Sequence, residues 1–402
     1  MENLLPLVVA GVLVGFCLLA KWVSTTVVTA PMIALSFGAL LGAQGLIPEG
    51  VTQDHLHGLA EIALVVLLFL DAARIDIPAL LGRHTWPLRT LFLGMPLAFG
   101  LGTLMLALIF PGWPLAVTAL MAAILVPTDA ALGQPVIDNT DVPARHRRAI
   151  TIESGLNDGI ALPAIVILAA IAAPSSEAPA MGWTLFALAQ ITLGPLTGIA
   201  LGLLGGHLFL RAQDVDLTAD TYEGIAALAL ATAAYFAAQS IGGNGFIAAF
   251  SAGIGFGYIA RDRCKFVYEF TESEGQALSW AAFFLIGALL VPQAAAGLTL
   301  PMFGAIALSL LLVRPLAVWL SLIGTDANGP SRLFLGWFGP RGLATALFAL
   351  IVTEEMAPDT AEFILTMAVN AVWISALIHG VTAVPAARRF AALSGPSDPK
   401  DP

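Results

Sequence analysis

The sequence predicts an all-α, polytopic membrane protein. Of its 402 residues, 58% are hydrophobic and 11% are charged, too few polar side chains to coat this much apolar chain in water. Apolar runs near the roughly 20 residues that a helix needs to cross the hydrocarbon layer recur along the whole chain. Counted as alternating spans, those runs place the basic residues on one face of the array.

Thirteen segments are predicted. Segment 1 (4–20) begins after Glu2, with no basic leader and no small-residue cleavage site, so it reads as a spanning helix rather than a signal peptide; Lys21 follows it. Segment 2 (24–43) is separated from segment 3 (58–77) by Glu49 and Asp54, and Arg74, Arg83 and Arg89 surround the turn into segment 4 (87–110). Segments 5 (113–134) and 6 (146–172) are joined by the basic stretch Arg145, His146, Arg147 and Arg148, expected to be a loop that anchors the chain at the cytoplasmic surface. Glu177 precedes segment 7 (182–210) and Arg211 follows it; segments 6 and 7 are long enough to tilt or project beyond the bilayer. Segments 8 (219–240) and 9 (243–259) lead to Arg261, Arg263 and Lys265. Segments 10 (273–293) and 11 (299–323) precede segment 12 (331–353), which Arg332 opens. Glu354, Glu355 and Asp359 lie before segment 13 (360–386), and Arg388, Arg389 and Lys400 after it. Fifteen of the seventeen Lys and Arg residues thus share one side, which puts the N-terminus outside and the C-terminus in the cytoplasm.

The formal charge of −10 excludes an electrostatic nucleic-acid binder, and Cys17 and Cys264 form neither a metal-site spacing nor a disulfide framework. Residues 1–390 form the membrane domain and 391–402 a short, disordered Ser/Pro/Asp-rich tail.

Two cations remain inside predicted spans. Arg314 is close enough to the cytoplasmic end of segment 11 to snorkel, and its partner is left open. Arg341 lies near mid-membrane, where a buried ion pair is expected. Its segment is interrupted at 336–342 by Gly336, Gly339, Pro340 and Gly342, and segment 5 is interrupted by Pro127, with Thr128 and Asp129 placed to cap the helix that resumes. Paired broken helices at membrane depth point to a transporter site. Segments 1–6 (about 4–172) and 8–13 (about 219–386) then form inverted six-helix repeats, with the broken, crossing segments 5 and 12 in equivalent places and segment 7 as connector.

On a helix, Ser154 and Asp158 share one face, Glu153 and Asn157 the neighbouring one, and Glu153 lies at a depth that suits Arg341. A Glu153–Arg341 pair is therefore expected, with Asp158 left to titrate. Burial favours the protonated form of a carboxylate and a bound cation favours the ionised form, so cation and proton compete for one group. Asp158, Ser154, Thr128 and Asn157 offer the oxygen ligands that Na+ or another hard monovalent cation takes, and no soft ligand set for copper or zinc is near. The amide at Asn157 removes one titratable charge and favours one-for-one exchange.

Thr128-Asp129, the run Glu153-Ser154-x-x-Asn157-Asp158, the Gly-rich Arg341 stretch and Gly243-Asn244-Gly245-Phe246 together resemble the monovalent cation:proton antiporter family of the sodium/proton exchanger type, in its prokaryotic, NhaP-like Asn-Asp branch. The resemblance covers the chain to about residue 390. It implies a homodimer in the bacterial inner membrane, a dimerisation domain, and a mobile six-helix core that moves like an elevator. It also implies ion contacts at Asp158, Ser154 and Thr128, support from Asn157 and Asp129, and a structural Glu–Arg pair matching Glu153 and Arg341. Asp71 is a further candidate ligand, one position out of the expected pattern. Monovalent cations and protons are the partners, no cofactor beyond them is called for, and no enzyme activity is expected. Two other readings stay open: an inverted-repeat transporter of another solute, and an intramembrane aspartyl protease with Asp129 and Asp158 as its dyad. His207 and His379 are expected to be packing residues and Glu61 to meet polar groups near the outer end of its helix.

Overall fold

The computed structural model describes residues 10–12, 14–19, 26, 28–47, 53–75, 85–173, 182–260, 263, 275–354 and 356–394. The start of segment 1, Lys21, Glu49, Arg83, Glu177, Arg261, Cys264, Lys265, Glu355 and the tail beyond Ser394 lie outside the described residues. Among those described, every apolar segment contains helix and no strand occurs.

The helices are α1 (Ala10–Leu19), α2 (Ala30–Ala43), α3 (Gln53–Ala73) and α4, which runs from Thr85–Arg89 through the π turn Thr90–Gly94 into Met95–Ile109. Next come the divided α5 (α5a Leu115–Leu125, α5b Ala130–Ile137), α6 (Ala144–Ala172), α7 (Gly182–Asp214), α8 (Asp220–Ser240) and α9 (Gly245–Ala260). The chain continues with α10 (α10a Gln276–Leu289, α10b Val291–Ala296) and α11, which joins Leu300–Leu308 to Arg314–Ser321 through the π turn Ser309–Val313. The last are the divided α12 (α12a Gly329–Trp337, α12b Leu343–Thr353) and α13 (Pro358–Ser394). Seven of the helices are long and apolar enough to cross a membrane among the described residues, which makes this an integral membrane protein.

Local sequence explains where these helices begin and bend. Thr29 and Thr299 each cap a helix by accepting from the amide of Met32 or Met302, with a proline in the first turn, and Asn328 does the same for α12a through Ser331. Each π turn ends one residue short of a proline, Pro96 in α4 and Pro315 in α11. Proline has no N–H to reach the carbonyl four residues back, and its ring crowds that carbonyl, so the preceding turn widens.

The helices pack as two groups. In one, α7 lies along α9, α9 along α3, and α2 along α10a. Glycines make these seams: Gly198 and Gly202 of α7 meet the Ala248 and Ala252 carbonyls of α9, Gly253 and Gly257 of α9 meet those of Phe69 and Ala73, and Gly38 and Gly42 of α2 meet those of Phe284 and Ala288. Lipid offers helices no hydrophobic gain from association, so close approach through small residues four apart supplies the attraction instead. In the other group α4 packs on α5a and α11, α6 on α5, and α13 on α5b and both halves of α12. The groups meet where α3 and α9 touch α6, where α3 touches α12b and where α2 and α10b touch α13; between α3 and α12b, His57 pairs with Glu354 at the end of α12b at 3.1 Å.

A Cβ at Gly253 or Gly257 would overlap backbone of α3 that cannot give way. Gly257→Val is expected to cost about 1–3 kcal/mol or more and to lower the melting temperature and monodisperse yield of detergent-solubilised protein. Gly100→Val, at a position with open space around it, serves as the control.

Candidate functional site

The two interruptions cross, and a single carboxylate ties them together. Asp129 is the N-cap of α5b, where one oxygen accepts from the Ala131 amide at 2.7 Å; its other oxygen accepts from the Leu343 amide, the first residue of α12b, also at 2.7 Å. The Asp129 amide donates to the Pro340 carbonyl at 2.9 Å. Sequence reading anticipates the first cap only. Gly342 has no side chain because the Asp129 carboxyl occupies the space where one would project.

The carbonyl ends of the first half-helices receive the two arginines. Arg341 is 1% exposed, and one terminal nitrogen donates to the Val126 carbonyl at 2.9 Å and the Pro127 carbonyl at 3.3 Å, at the end of α5a. Its amide donates to Ser375 Oγ of α13 at 2.8 Å. Arg314 donates to the Phe338 carbonyl at the end of α12a at 3.3 Å, and its guanidinium fills the space beside Gly339. Cations at helix C-termini and an anion at the N-termini answer both the orphan backbone groups and the helix dipoles.

This geometry corrects the expected ion pair. Glu153 pairs with Arg314, at 2.8 Å with both side chains buried, and Arg341 turns to backbone carbonyls instead. Arg341 lies in the break of α12, so helical spacing does not set where its side chain points. Arg314 does not snorkel. The π turn before it and the absent side chain at Gly339 let it turn inward.

The remaining predicted residues come together beside the crossing. Thr128 and Ser154 hydroxyls lie 3.1 Å apart, and the Asn157 amide nitrogen donates to Thr128 Oγ1 at 2.6 Å; all three residues are buried. Asp158 is half-buried on the adjoining face of α6, with Oδ1 shielded from solvent and without a hydrogen-bond partner. The Asn157 amide oxygen and the Thr345 hydroxyl of α12b are likewise buried and unpartnered. Asp71 lies at the end of α3 where it packs on Gly155, one turn from Asp158, and the charges of Asp71 and Asp129 both reach Asp158. No group of three His, Cys, Asp or Glu suited to a resident metal ion occurs among the described residues. The constellation is therefore hydroxyl, amide and carboxylate oxygen around one uncommitted carboxylate, chemistry that suits a hard monovalent cation.

Residues passed over as anchoring or packing prove to have specific partners. The stretch 145–148 is the first turn of α6, not a loop. Arg145 binds Asp326 through both guanidinium ends at 2.5 and 2.8 Å and stacks 3.8 Å over Trp86, whose indole also donates to Asp326. The Arg145 guanidinium holds the Asp326 carboxyl below its usual range, so what this exposed pair contributes is present above roughly pH 4 and lost on acidification. His146 is buried against Ser331 of α12a at 2.8 Å, and His379 bonds the Ser375 carbonyl and hydroxyl and the Trp337 carbonyl. Glu61 accepts from the Tyr235 hydroxyl, the polar contact expected of it.

Removing one partner of the buried pair leaves the other charge uncompensated. Glu153→Ala and Arg314→Ala are each expected to cost about 3–5 kcal/mol of stability, and the double variant far less than their sum. The Glu153/Arg341 cycle should show much the weaker coupling; thermal unfolding of the purified variants ranks the two cycles.

The family described as "Sodium/hydrogen exchanger, transmembrane" matches residues 7–389. A K(+)/H(+) antiporter NhaP2 from Shewanella baltica is 26% identical over 364 residues, covering 89% of this chain and 62% of its own, so the chain spans under two thirds of that relative's length. The K(+)/H(+) antiporter NhaP of Alkalimonas amylolytica is 26% identical over 96% of this chain and 66% of its own. The Na(+)/H(+) antiporter NhaH of Halobacillus dabanensis is 25% identical over 85% of each. In fold the chain is similar to the sodium proton antiporter MjNhaP1 of Methanocaldococcus jannaschii, with a TM-score of 0.76, 20% identity, and coverage of 97% of this chain and all of that one.

Proposed function

The chain belongs to the sodium/hydrogen exchanger family, and from that premise we propose that it exchanges a monovalent cation for protons across a bacterial inner membrane, with Asp158 as the group for which the two compete. The observation that carries this reading is the uncommitted Asp158 oxygen beside the Thr128–Ser154–Asn157 cluster. Asp158, Ser154 and Thr128 hold the cation, Na+ in the first instance, with Li+ and K+ as the alternatives; the relatives are named for both K(+) and Na(+). Asn157 orients Thr128 without adding charge. Asp129, with both oxygens on helix N-termini, is a fixed anion at the crossing, and Asp71 is an accessory carboxylate. Glu153 serves the structure through Arg314, and Arg341 through the end of α5a. Asp129's two caps also weigh against an aspartyl dyad, whose members must be free to share a proton.

The same reading takes the chain as thirteen spans, N-terminus outside, in two inverted repeats. Its support is that interruptions recur in equivalent places: breaks in α5 and α12, and proline-linked π turns in α4 and α11. The glycine-seamed helices form the static, dimerising part and the crossing group the mobile core.

In everted vesicles, adding Na+, Li+ or K+ should collapse a preformed proton gradient, and Asp158→Asn should abolish the effect while the protein still inserts and folds. Gradient collapse that survives this substitution would overturn the assignment. One-for-one exchange predicts a rate unchanged when the membrane potential is clamped. It also predicts an apparent KM for the cation that climbs as the medium is acidified, since protons then occupy Asp158.

A further inference from the structure

The face of α6 that carries Asp158 continues toward the helix start through Gly155, Thr151 and Arg147, three, seven and eleven residues away, spacings that return to one stripe. At the foot of that stripe lies a cavity of about 280 Å³, lined by Ile137 at the end of α5b and by Ala144, Arg147, Arg148, Thr151 and Ile152 of α6. Arg147 is some 16 Å along the helix from Asp158 at the usual rise per residue. It is fixed there, with Nε donating to the Val142 carbonyl at 3.1 Å and a terminal nitrogen to the Ile137 carbonyl at 3.4 Å. Arg148 stands exposed beside it.

Two positive charges at the foot of the stripe that leads to Asp158 would oppose a cation approaching along it. Around the single uncommitted carboxylate of Asp158, the charges of Asp71 and Asp129 add to a negative field that draws a divalent ion more strongly than a monovalent one. Repulsion from a fixed cation scales with the charge of the approaching ion, so it falls twice as heavily on a divalent ion. Resting on the cation–proton reading above, we infer that this cavity is the cytoplasmic vestibule of the ion route and that Arg147 and Arg148 are specificity-determining residues, set there to exclude divalent cations at some cost in monovalent affinity.

Everted vesicles expose this end to the medium, and charge variants of Arg148 test the inference without touching the backbone bonds that Arg147 makes. At low ionic strength, Arg148→Gln should lower the apparent KM for the monovalent cation about two- to fivefold and lower the Mg2+ concentration giving half-inhibition by a larger factor, with kcat little changed. Arg148→Glu should go further in both, and Arg148→Lys should restore wild-type values. The differences should shrink as added salt shortens the screening length to a few ångströms. Wild-type KM and Mg2+ sensitivity in both Arg148→Gln and Arg148→Glu, with transport intact, overturn the inference. So does a change that is identical at low and high salt, or one that Arg148→Lys reproduces. Absence of cation-driven proton movement in the wild type would instead strike the exchange reading, leaving the two failures distinct.

Discussion

The Asp129 carboxylate is the constraint on which the rest of this structure depends. Half-helices inside a bilayer leave amide and carbonyl groups where water cannot satisfy them, and each unsatisfied group costs several kcal/mol. Here one anion takes the N-termini of both second halves, and two arginines take the carbonyl ends of both first halves. The breaks in α5 and α12 are therefore one structure and not two. Each stabilises the other, and neither α5b nor α12b could shift along its axis without giving up a bond to the shared carboxylate. The glycines at 339 and 342 belong to the same arrangement, because they vacate the space that Arg314 and Asp129 fill.

That arrangement also decides which acid is left without a structural partner. Asp129 is committed to two amides and Glu153 to Arg314, so of the acids on α5 and α6 beside the crossing, Asp158 alone keeps a buried oxygen without a partner. Its surroundings are ordered without using it: Asn157 holds Thr128, and Thr128 meets Ser154. A site ready to bind a cation and release it gains from such division. In the proposed exchange the geometry would be set by Thr128, Ser154 and Asn157, while the buried oxygen of Asp158 carries no hydrogen bond that proton binding would undo.

Much of this was legible in the sequence, and what escaped has a common physical character. Pro127 and the glycines of 336–342 announced the breaks, Thr128-Asp129 announced a cap, and the spacing of Ser154 and Asp158 announced a shared face. These are local signals, carried within a turn or two of helix. The second cap of Asp129 joins residues 214 apart in the chain, and no local pattern reports it. The partner of Glu153 was misassigned for the same reason. Depth along a helix admits either arginine, and the choice falls to the direction of a side chain in a non-helical break. The π turns were open to reading, since Pro96 and Pro315 mark them, yet a proline after an apolar run also fits an ordinary kink. Arg145 and His146 read as surface charge because their partners, Asp326 and Ser331, come from the far end of the chain.

The stagger of one helix against another then brings a further carboxylate toward Asp158. Among the described residues α3 has 21 residues, roughly 32 Å of rise, near the thickness of a hydrocarbon layer of about 30 Å. By comparison α6 has 29 residues and α13 has 37, more than enough to cross. Asp71 lies two residues before the end of α3, yet it meets Gly155, the twelfth residue of α6. A helix of the first group thus ends level with the interior of a helix of the second, and its terminal turn, with its carboxylate, arrives beside Asp158 without a charge having to be buried mid-helix in α3. The reach of α6 beyond the end of α3 sets the Asp71 turn beside the interior of α6 and leaves the first turns of α6, with Arg147 and Arg148, beyond that contact.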